Sequence, residues 1–173
     1  MRHILPTRLP LFCLALFIAL VTASGTKAEA VQSAEVIQVT EISGKQTRVF
    51  GPAAIEVGGS LVHLEGLRAP TNDQICSEGP VPWTCGRDAR WATLNRVGNH
   101  WITCLDRGRT SDGAFLGLCY LGGVGGPELN GWLVAQGWAL TDALGAERYV
   151  SEETSARAGR LGLWRNGVEP SWD

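Results

Sequence analysis

Lysine is scarce in this chain of 173 residues, and charged residues make up only 18% of it. This scarcity disfavours a nucleic-acid-binding function, because proteins that bind nucleic acid neutralise its phosphates with lysine and arginine. Apolar runs of the roughly 20 residues that a membrane span needs are also missing. The hydrophobic fraction of 45% is nonetheless that of a globular protein, which excludes a mostly disordered chain, and the length favours one domain.

Residues 1–30 have the pattern of a secretory signal peptide. Arg2 and Arg8 supply a positive start, residues 11–21 form a short apolar run, and an Ala-Glu-Ala sequence ends the segment. We therefore predict an exported protein, periplasmic or secreted, with no stable membrane insertion after cleavage. An uncleaved membrane anchor is the alternative.

Removal of residues 1–30 makes the chain more acidic. The counts of Lys plus Arg and of Asp plus Glu fall from 15 and 17 to 12 and 16, so the net charge changes from −2 to −4. Lys45 is the only lysine that remains. A net negative chain repels phosphates, although a local basic groove is compatible with it, and nucleic acid is therefore a disfavoured partner.

Four cysteines lie beyond the predicted signal peptide, and an even number in an exported chain predicts disulfides. Residues 101–105 and 115–121 have strand composition, and the Ser, Asp and Gly residues between them indicate a hairpin. A turn centred at residues 111–112 places Cys104 opposite Cys119, close to the distance that a disulfide requires.

Cys76 and Cys85 are the two cysteines left, and a short loop that contains Gly79, Pro80 and Pro82 connects them. We predict a second disulfide between them. A zinc site held by all four cysteines is the alternative, but the paired C-x-x-C spacing typical of such sites is missing.

The rest of the pattern predicts short strands and helices. Strands are expected at residues 48–50, 54–57 and 61–67, with an edge strand at 36–39, and helices at 86–97, 127–137 and 146–161. With the hairpin, this order favours an α+β fold in which a small five-stranded antiparallel β-barrel of the OB type carries three helices. We predict that residues 46–173 form this domain and that residues 31–45 form a leader or linker.

Several short sequences occur in one order along the chain. They are Ile-Glu-Val-Gly-Gly at 55–59, Val-His-Leu-Glu-Gly-Leu-Arg-Ala-Pro at 62–70, Gln-Ile-Cys at 74–76, Cys-Gly-Arg-Asp-Ala at 85–89, Gly-Trp-Ala at 137–139, Gly-Leu-Trp at 162–164 and Pro-Ser-Trp at 170–172. In this order and spacing, residues 48–173 resemble the staphylococcal-nuclease-like (thermonuclease) domain. The resemblance implies a calcium-dependent phosphodiesterase that cuts DNA and RNA.

The resemblance also implies a site of five residues. Two aspartates hold calcium, a glutamate positions or deprotonates the attacking water, and two arginines clamp the phosphate. This sequence differs at all five positions: the aspartates are replaced by Ala53 and Arg68, the glutamate by Thr71, and the arginines by His63 and Ala114. A guanidinium in place of a carboxylate reverses the charge, so we predict that the calcium site is lost and that no cofactor binds.

A different ligand cleft is predicted at the same place. His63 and Glu65 alternate on one strand and therefore share a face, and with Arg68 they form a candidate polar cluster. Arg107 and Arg109 lie in the predicted hairpin loop, where they are candidates to contact an anionic ligand at the mouth of the barrel. An ordinary surface salt bridge and a solvated loop of mixed charge are the alternatives.

All seven tryptophans lie at or beyond Trp83. Trp132, Trp138 and Trp164 occupy helical or capping positions and are predicted to fill the core between the helices and the barrel. Trp83 and Trp101 are the candidates for an exposed platform that stacks on bases or sugar rings.

The leading hypothesis is an exported thermonuclease-like domain without catalytic activity, which acts as a binding or structural module for an unknown ligand. Residual hydrolysis of nucleic acid by a phosphodiesterase of the nuclease type is one alternative. A role as an accessory protein in exopolysaccharide biosynthesis of the succinoglycan type is another, and it rests on resemblance of context alone.

Overall fold

Nine strands and three helices form within the part of the chain that the computed structural model describes, namely residues 40–78, 81–165, 167 and 170. The strands are β1 (Glu41–Gly51), β2 (Ala54–Val57), β3 (Ser60–Leu64), β4 (Leu67–Arg68), β5 (Cys76–Glu78), β6 (Val81–Trp83), β7 (Trp101–Arg109), β8 (Phe115–Leu121) and β9 (Leu140–Thr141). The helices are α1 (Cys85–Val97), α2 (Leu129–Ala135) and α3 (Val150–Ala158), and a 3-10 turn follows at Gly162–Trp164.

The described residues belong to the compact unit Ile37–Asp173. The predicted signal peptide and the predicted edge strand at 36–39 lie outside the described residues. Within the described residues, no helix is both long and apolar enough to cross a membrane.

Five of the strands form one sheet, and this sheet together with the three helices confirms the predicted α+β class. β1 pairs with β2, β2 with β3, β3 with β8, β8 with β7, and β7 with β1, so the sheet closes on itself. The prediction that every pair is antiparallel is wrong, because β3 runs parallel to β8, with Val62 opposite Phe115. A closed ring with an odd number of strands cannot alternate in direction at every pair, so one parallel pair is unavoidable.

The first strand is longer than its sequence indicates. β1 begins at Glu41, inside the segment predicted to be a leader or linker, and its first half pairs with β7, with Ile42 opposite Cys104. The few apolar residues of this half give a weak strand signal. Its partner strand supplies the missing stabilisation through backbone hydrogen bonds.

Both predicted disulfides are present. Cys104 lies directly opposite Cys119 in the β7–β8 hairpin, with a Cα–Cα distance of 4.0 Å, and Cys76 is bonded to Cys85 with a Cα–Cα distance of 5.6 Å. Residues between the second pair form a small hairpin, β5–β6, where only a loop was predicted. This disulfide joins that hairpin to the start of α1.

The third helix is shorter than predicted. It begins at Val150 rather than near residue 146, because the preceding residues form a turn around Asp142. The Asp142 carboxylate accepts hydrogen bonds from the backbone N–H groups of Leu144 and Gly145, at 2.7 and 3.0 Å. Such side-chain bonds compete with helical backbone bonds.

The core fills the barrel and the space beneath α2. Ile55, Val62 and Ile102 from the strands and Leu129 and Leu133 from α2 are fully buried in one cluster. Asn130 is also fully buried, and its side chain bonds to three backbone groups. Its oxygen accepts from the Cys119 N–H at 3.1 Å, and its nitrogen donates to the carbonyls of Glu65 and Gly117, both at 3.0 Å.

Candidate functional site

A cavity of about 500 Å³ opens beside β2 and β3, and we call it the cleft. Four of the five predicted site positions line it: Ala53, His63, Arg68 and Thr71. They meet because β2 and β3 form a hairpin, with Ala54 opposite His63, and β4 follows directly along the chain. The fifth position, Ala114, directly precedes β8 and is absent from the described lining of the cleft.

The rim of the cleft is fixed by backbone and side-chain contacts. The Asn72 amide donates to the carbonyl of Phe50, and both residues line the cavity. The Gln74 N–H donates to the Thr71 carbonyl at 3.1 Å, and the Gly86 N–H donates to the Gln74 carbonyl at 3.2 Å. The Cys76–Cys85 disulfide lies beside these bonds, so it ties the rim to α1.

Gly86 allows this close approach. A Cβ atom at this position would overlap the carbonyl oxygen of Thr71, so any other residue would push the rim away from the helix. The glycine at the second position of α1 is therefore required by the close approach of the cleft wall.

The ionisable side chains that line the cleft are basic. His63 and Arg68 face it, and no Asp or Glu is present among the described residues that line it. Just outside the lining, the Asp73 carboxylate accepts a hydrogen bond from the Thr71 hydroxyl at 2.8 Å. The pKa of Asp112 is lowered chiefly by a hydrogen bond from the Thr110 hydroxyl and to a smaller extent by His63. Calcium is held largely by carboxylate and other oxygen ligands, so this basic lining favours an anion over calcium.

Glu65 does not join His63 and Arg68 in the cleft, contrary to the predicted cluster. Its carboxylate forms ion pairs with Arg107 at 3.3 Å and with Arg148 at 3.1 Å, and its side chain is only 13% exposed. The strand β3 ends at Leu64, so the alternation that was expected to place Glu65 beside His63 stops one residue too early. Arg148 was missed because it lies 83 residues further along the chain.

The hairpin arginines lie in a strand, whereas the prediction placed them in a loop. β7 continues to Arg109, and the register shifts between Asp106 and Gly108, so that Arg107 is an extra residue in the strand. Such a bulge re-aims the side chains around it. Arg107 binds Glu65, so it is not directed at the cleft.

Arg109 is bound within its own strand. Its guanidinium donates to both carboxylate oxygens of Asp106 at 2.7 Å and lies 3.6 Å from the centre of the Phe115 ring. The hydrogen bond from Arg109 is the main reason that the pKa of Asp106 is lowered. The pair resembles the alternative of a mixed-charge surface for these arginines, although it lies in a strand and not in a loop.

The tryptophans divide largely as predicted. Trp164 is buried, and Trp132 and Trp138 pack against the core. Trp101 is 54% exposed, as the platform hypothesis requires, but Trp83 is half-buried beneath the guanidinium of Arg165, 3.5 Å from its ring centre. Trp91 on α1 is 53% exposed, which was not foreseen.

Two further observations bear on identity. The described residues hold no group of three or more His, Cys, Asp or Glu side chains placed to bind a metal ion. The chain matches no protein-family model and no curated protein sequence.

Proposed function

We propose that the chain is an exported, staphylococcal-nuclease-like module of the OB type that binds an anionic ligand in the cleft without calcium and without hydrolysing it. The proposal rests on one observation above all: a guanidinium and an imidazole line a cavity that has no carboxylate among its described lining residues. The partner is an anion, because Arg68 and His63 supply hydrogen-bond donors and positive charge.

The order of strands supports the assignment of the barrel. Counted along the sheet, the first, second and third barrel strands are followed by the fifth and then the fourth, with the parallel pair between the third and the fifth. Five-stranded Greek-key barrels of the OB type bind ligands on the face of their second and third strands and at the adjoining loops. The cleft lies at this place, since β2, β3 and the segment after β3 line it.

The cleft also supports the loss of metal-dependent hydrolysis. A calcium ion takes six to eight oxygen ligands, most of them from carboxylates. The positions that would supply them hold the methyl group of Ala53 and the guanidinium of Arg68. Thr71 at the third position offers a hydroxyl that donates to Asp73 at 2.8 Å, and a hydroxyl is a poor general base at neutral pH.

The remaining lining suits an organic anion. Phe50 is 39% exposed at the cleft, while Ala53, Ala54 and Leu67 provide an apolar wall. A ligand with one anionic group and an apolar or planar body would use both kinds of surface. The two disulfides are compatible with an oxidising compartment, which agrees with the proposed export.

The experiment is a calorimetric titration of the purified protein with a nucleoside bisphosphate and with calcium. We expect the bisphosphate to bind equally well with and without calcium, and millimolar calcium alone to give no heat of binding. Arg68→Gln should weaken the bisphosphate about tenfold, the effect of losing one charged hydrogen bond. Arg87→Gln is the matched control, because this exposed arginine lies on the outer part of α1 and should leave the affinity unchanged.

A cleavage assay tests the loss of hydrolysis separately. Single-stranded DNA incubated with the protein and calcium should remain intact. Calcium-dependent cleavage that a chelator abolishes would overturn the proposal in favour of a residual nuclease. Equal weakening by Arg68→Gln and Arg87→Gln would show that the anion binds elsewhere.

A further inference from the structure

A second cavity, of about 390 Å³, is built around α2, and we call it the α2 cavity. Trp132 and Ala135 line it from α2, and Arg96 lines it from α1. Arg148, shortly before α3, and Glu152, in the first turn of α3, also line it. Its volume falls in the range of small-molecule sites, about 300–1,000 Å³.

One acceptor in this cavity is held rigidly. The Glu128 carboxylate accepts hydrogen bonds from the Tyr149 hydroxyl at 2.6 Å and from the Gly131 N–H at 3.2 Å. Burial raises the pKa of Tyr149, so its hydroxyl keeps its proton and remains a donor to Glu128. Glu128 is therefore a fixed, charged acceptor in the cavity wall.

One donor in the cavity wall is unsatisfied. The guanidinium of Arg96 lies 5.0 Å from the centre of the Trp132 ring. Its Nε atom is buried and has no hydrogen-bond partner among the described residues. Buried donors are nearly always paired, so this unpaired atom needs an explanation, and it marks Arg96 as a side chain whose hydrogen-bonding capacity the described residues do not use up.

We propose that the α2 cavity binds a small hydroxylated carboxylate of monosaccharide size, that is, a sugar acid. The ligand carboxylate pairs with Arg96, and its hydroxyl groups donate to Glu128 and Glu152, since carboxylates only accept. Its ring lies against the Trp132 side of the cavity. Arg148 is already paired with Glu65, so Arg96 is the guanidinium that pairs with the ligand carboxylate, and the carboxylates of Glu128 and Glu152 disfavour a phosphate-like dianion more strongly than a monoanion with hydroxyls.

Titration of the purified protein with glucuronate, glucose, glutamate and sulfate tests this specificity, with binding followed by NMR chemical shifts. We expect glucuronate to bind saturably and at least about tenfold more tightly than each of the others, because glucose lacks the carboxylate, glutamate lacks the hydroxyls and sulfate lacks both. Equal affinities for all four compounds, or no saturable binding of glucuronate, would overturn the proposal.

Two pairs of variants locate the ligand. Ala135→Phe fills the cavity and should abolish glucuronate binding, whereas Ala158→Phe adds the same volume at an exposed helical position and should not. Arg96→Gln should weaken glucuronate about tenfold and Arg87→Gln should leave it unchanged. Arg68→Gln should also leave it unchanged, which separates this site from the cleft. Binding that survives both Ala135→Phe and Arg96→Gln would contradict the assignment.

Discussion

The cleft and the α2 cavity differ in how their charges are balanced. In the cleft, Arg68 and His63 face an apolar wall with no carboxylate in the described lining. In the α2 cavity, two guanidiniums lie among two carboxylates, and one of these is fixed by Tyr149. The cleft is therefore suited to a ligand whose main feature is its negative charge, and the α2 cavity to one that combines a single negative charge with hydroxyl donors.

A polar network links the segment that follows the cleft strands to the residues that line the α2 cavity. Glu65 follows β3, which lines the cleft, but its carboxylate binds Arg148, which lines the α2 cavity. The buried Asn130 in turn holds the Glu65 carbonyl and belongs to α2. Changes in this network should affect the two regions unequally, and they provide tests of the comparison.

The largest effect is expected from Asn130→Ala. This change removes all three hydrogen bonds of a fully buried side chain, so it should lower the free energy of unfolding by about 3–5 kcal/mol. Urea denaturation measures the loss. Asn95→Ala on the exposed face of α1 is the control and should cost less than about 0.5 kcal/mol. Similar midpoints for the two variants would show that Asn130 does not tie the regions together.

The next effect comes from the disulfide at the cleft rim. Replacement of Cys76 and Cys85 by serine should cost about 2–3 kcal/mol, because the unfolded chain regains the entropy of a short loop. It should also weaken bisphosphate binding in the cleft while glucuronate binding in the α2 cavity persists. Thermal unfolding and both titrations are the measurements.

The matched control is the other disulfide. Replacement of Cys104 and Cys119 by alanine should cost a similar amount, about 3 kcal/mol for its 15-residue separation, with no selective loss at the cleft. Equal loss of both ligands in the two double variants would mean that the rim disulfide has no special role in the cleft.

A smaller effect is expected from Glu65→Gln. The change removes the carboxylate that pairs with Arg107 and Arg148, at a cost of about 1 kcal/mol because both arginines are partly exposed. Arg148 then adds uncompensated positive charge to the α2 cavity, so sulfate affinity should rise a few-fold there. Glu147→Gln, at an exposed position, should not change sulfate binding, and an increase in both variants would point to net charge alone.

The smallest effect belongs to the pair of Asp106 and Arg109, which touches neither region. Because the folded state depresses the pKa of Asp106 below its usual value of 3.8, the pair stabilises the fold above that pH, and this contribution disappears as the pH falls through the folded value. Arg109→Gln should raise the pKa of Asp106 and cost less than about 1 kcal/mol at neutral pH. An NMR titration of the Asp106 carboxyl carbon checks the shift, and an unchanged pKa would contradict the pairing.

Much of the barrel was predictable because its strands have strong local signals. β2 and β8 have the predicted bounds, since Pro52 and Gly58 border the first and apolar residues fill the second. The polar first half of β1 was missed because its pairing with β7 is a tertiary interaction. The start of α3 was missed because a side-chain turn at Asp142 competes with the helix.

The candidate site was predictable where its residues are close in sequence. Ala53, His63, Arg68 and Thr71 meet because one hairpin and the segment after it supply them all. The partner of Glu65 was not predictable, because Arg148 reaches it only after the helices have packed on the barrel. The α2 cavity draws on three elements far apart in the chain and has no short sequence signature.

Gly86 has a consequence for tracing related chains. The wall of the cleft, and not the chemistry of the ligand, requires that this residue has no side chain. Selection for the shape of the cleft therefore acts on Gly86, whereas selection for ligand binding acts on the residues that line the cavity. Some homologues will retain a Cys-Gly pair at the start of this helix but carry other residues in place of Arg68 and His63. We expect these homologues to preserve the shape of the cleft and to bind different ligands. A comparison of such sequences would group the homologues by the ligand that they bind, while all of them keep the same fold.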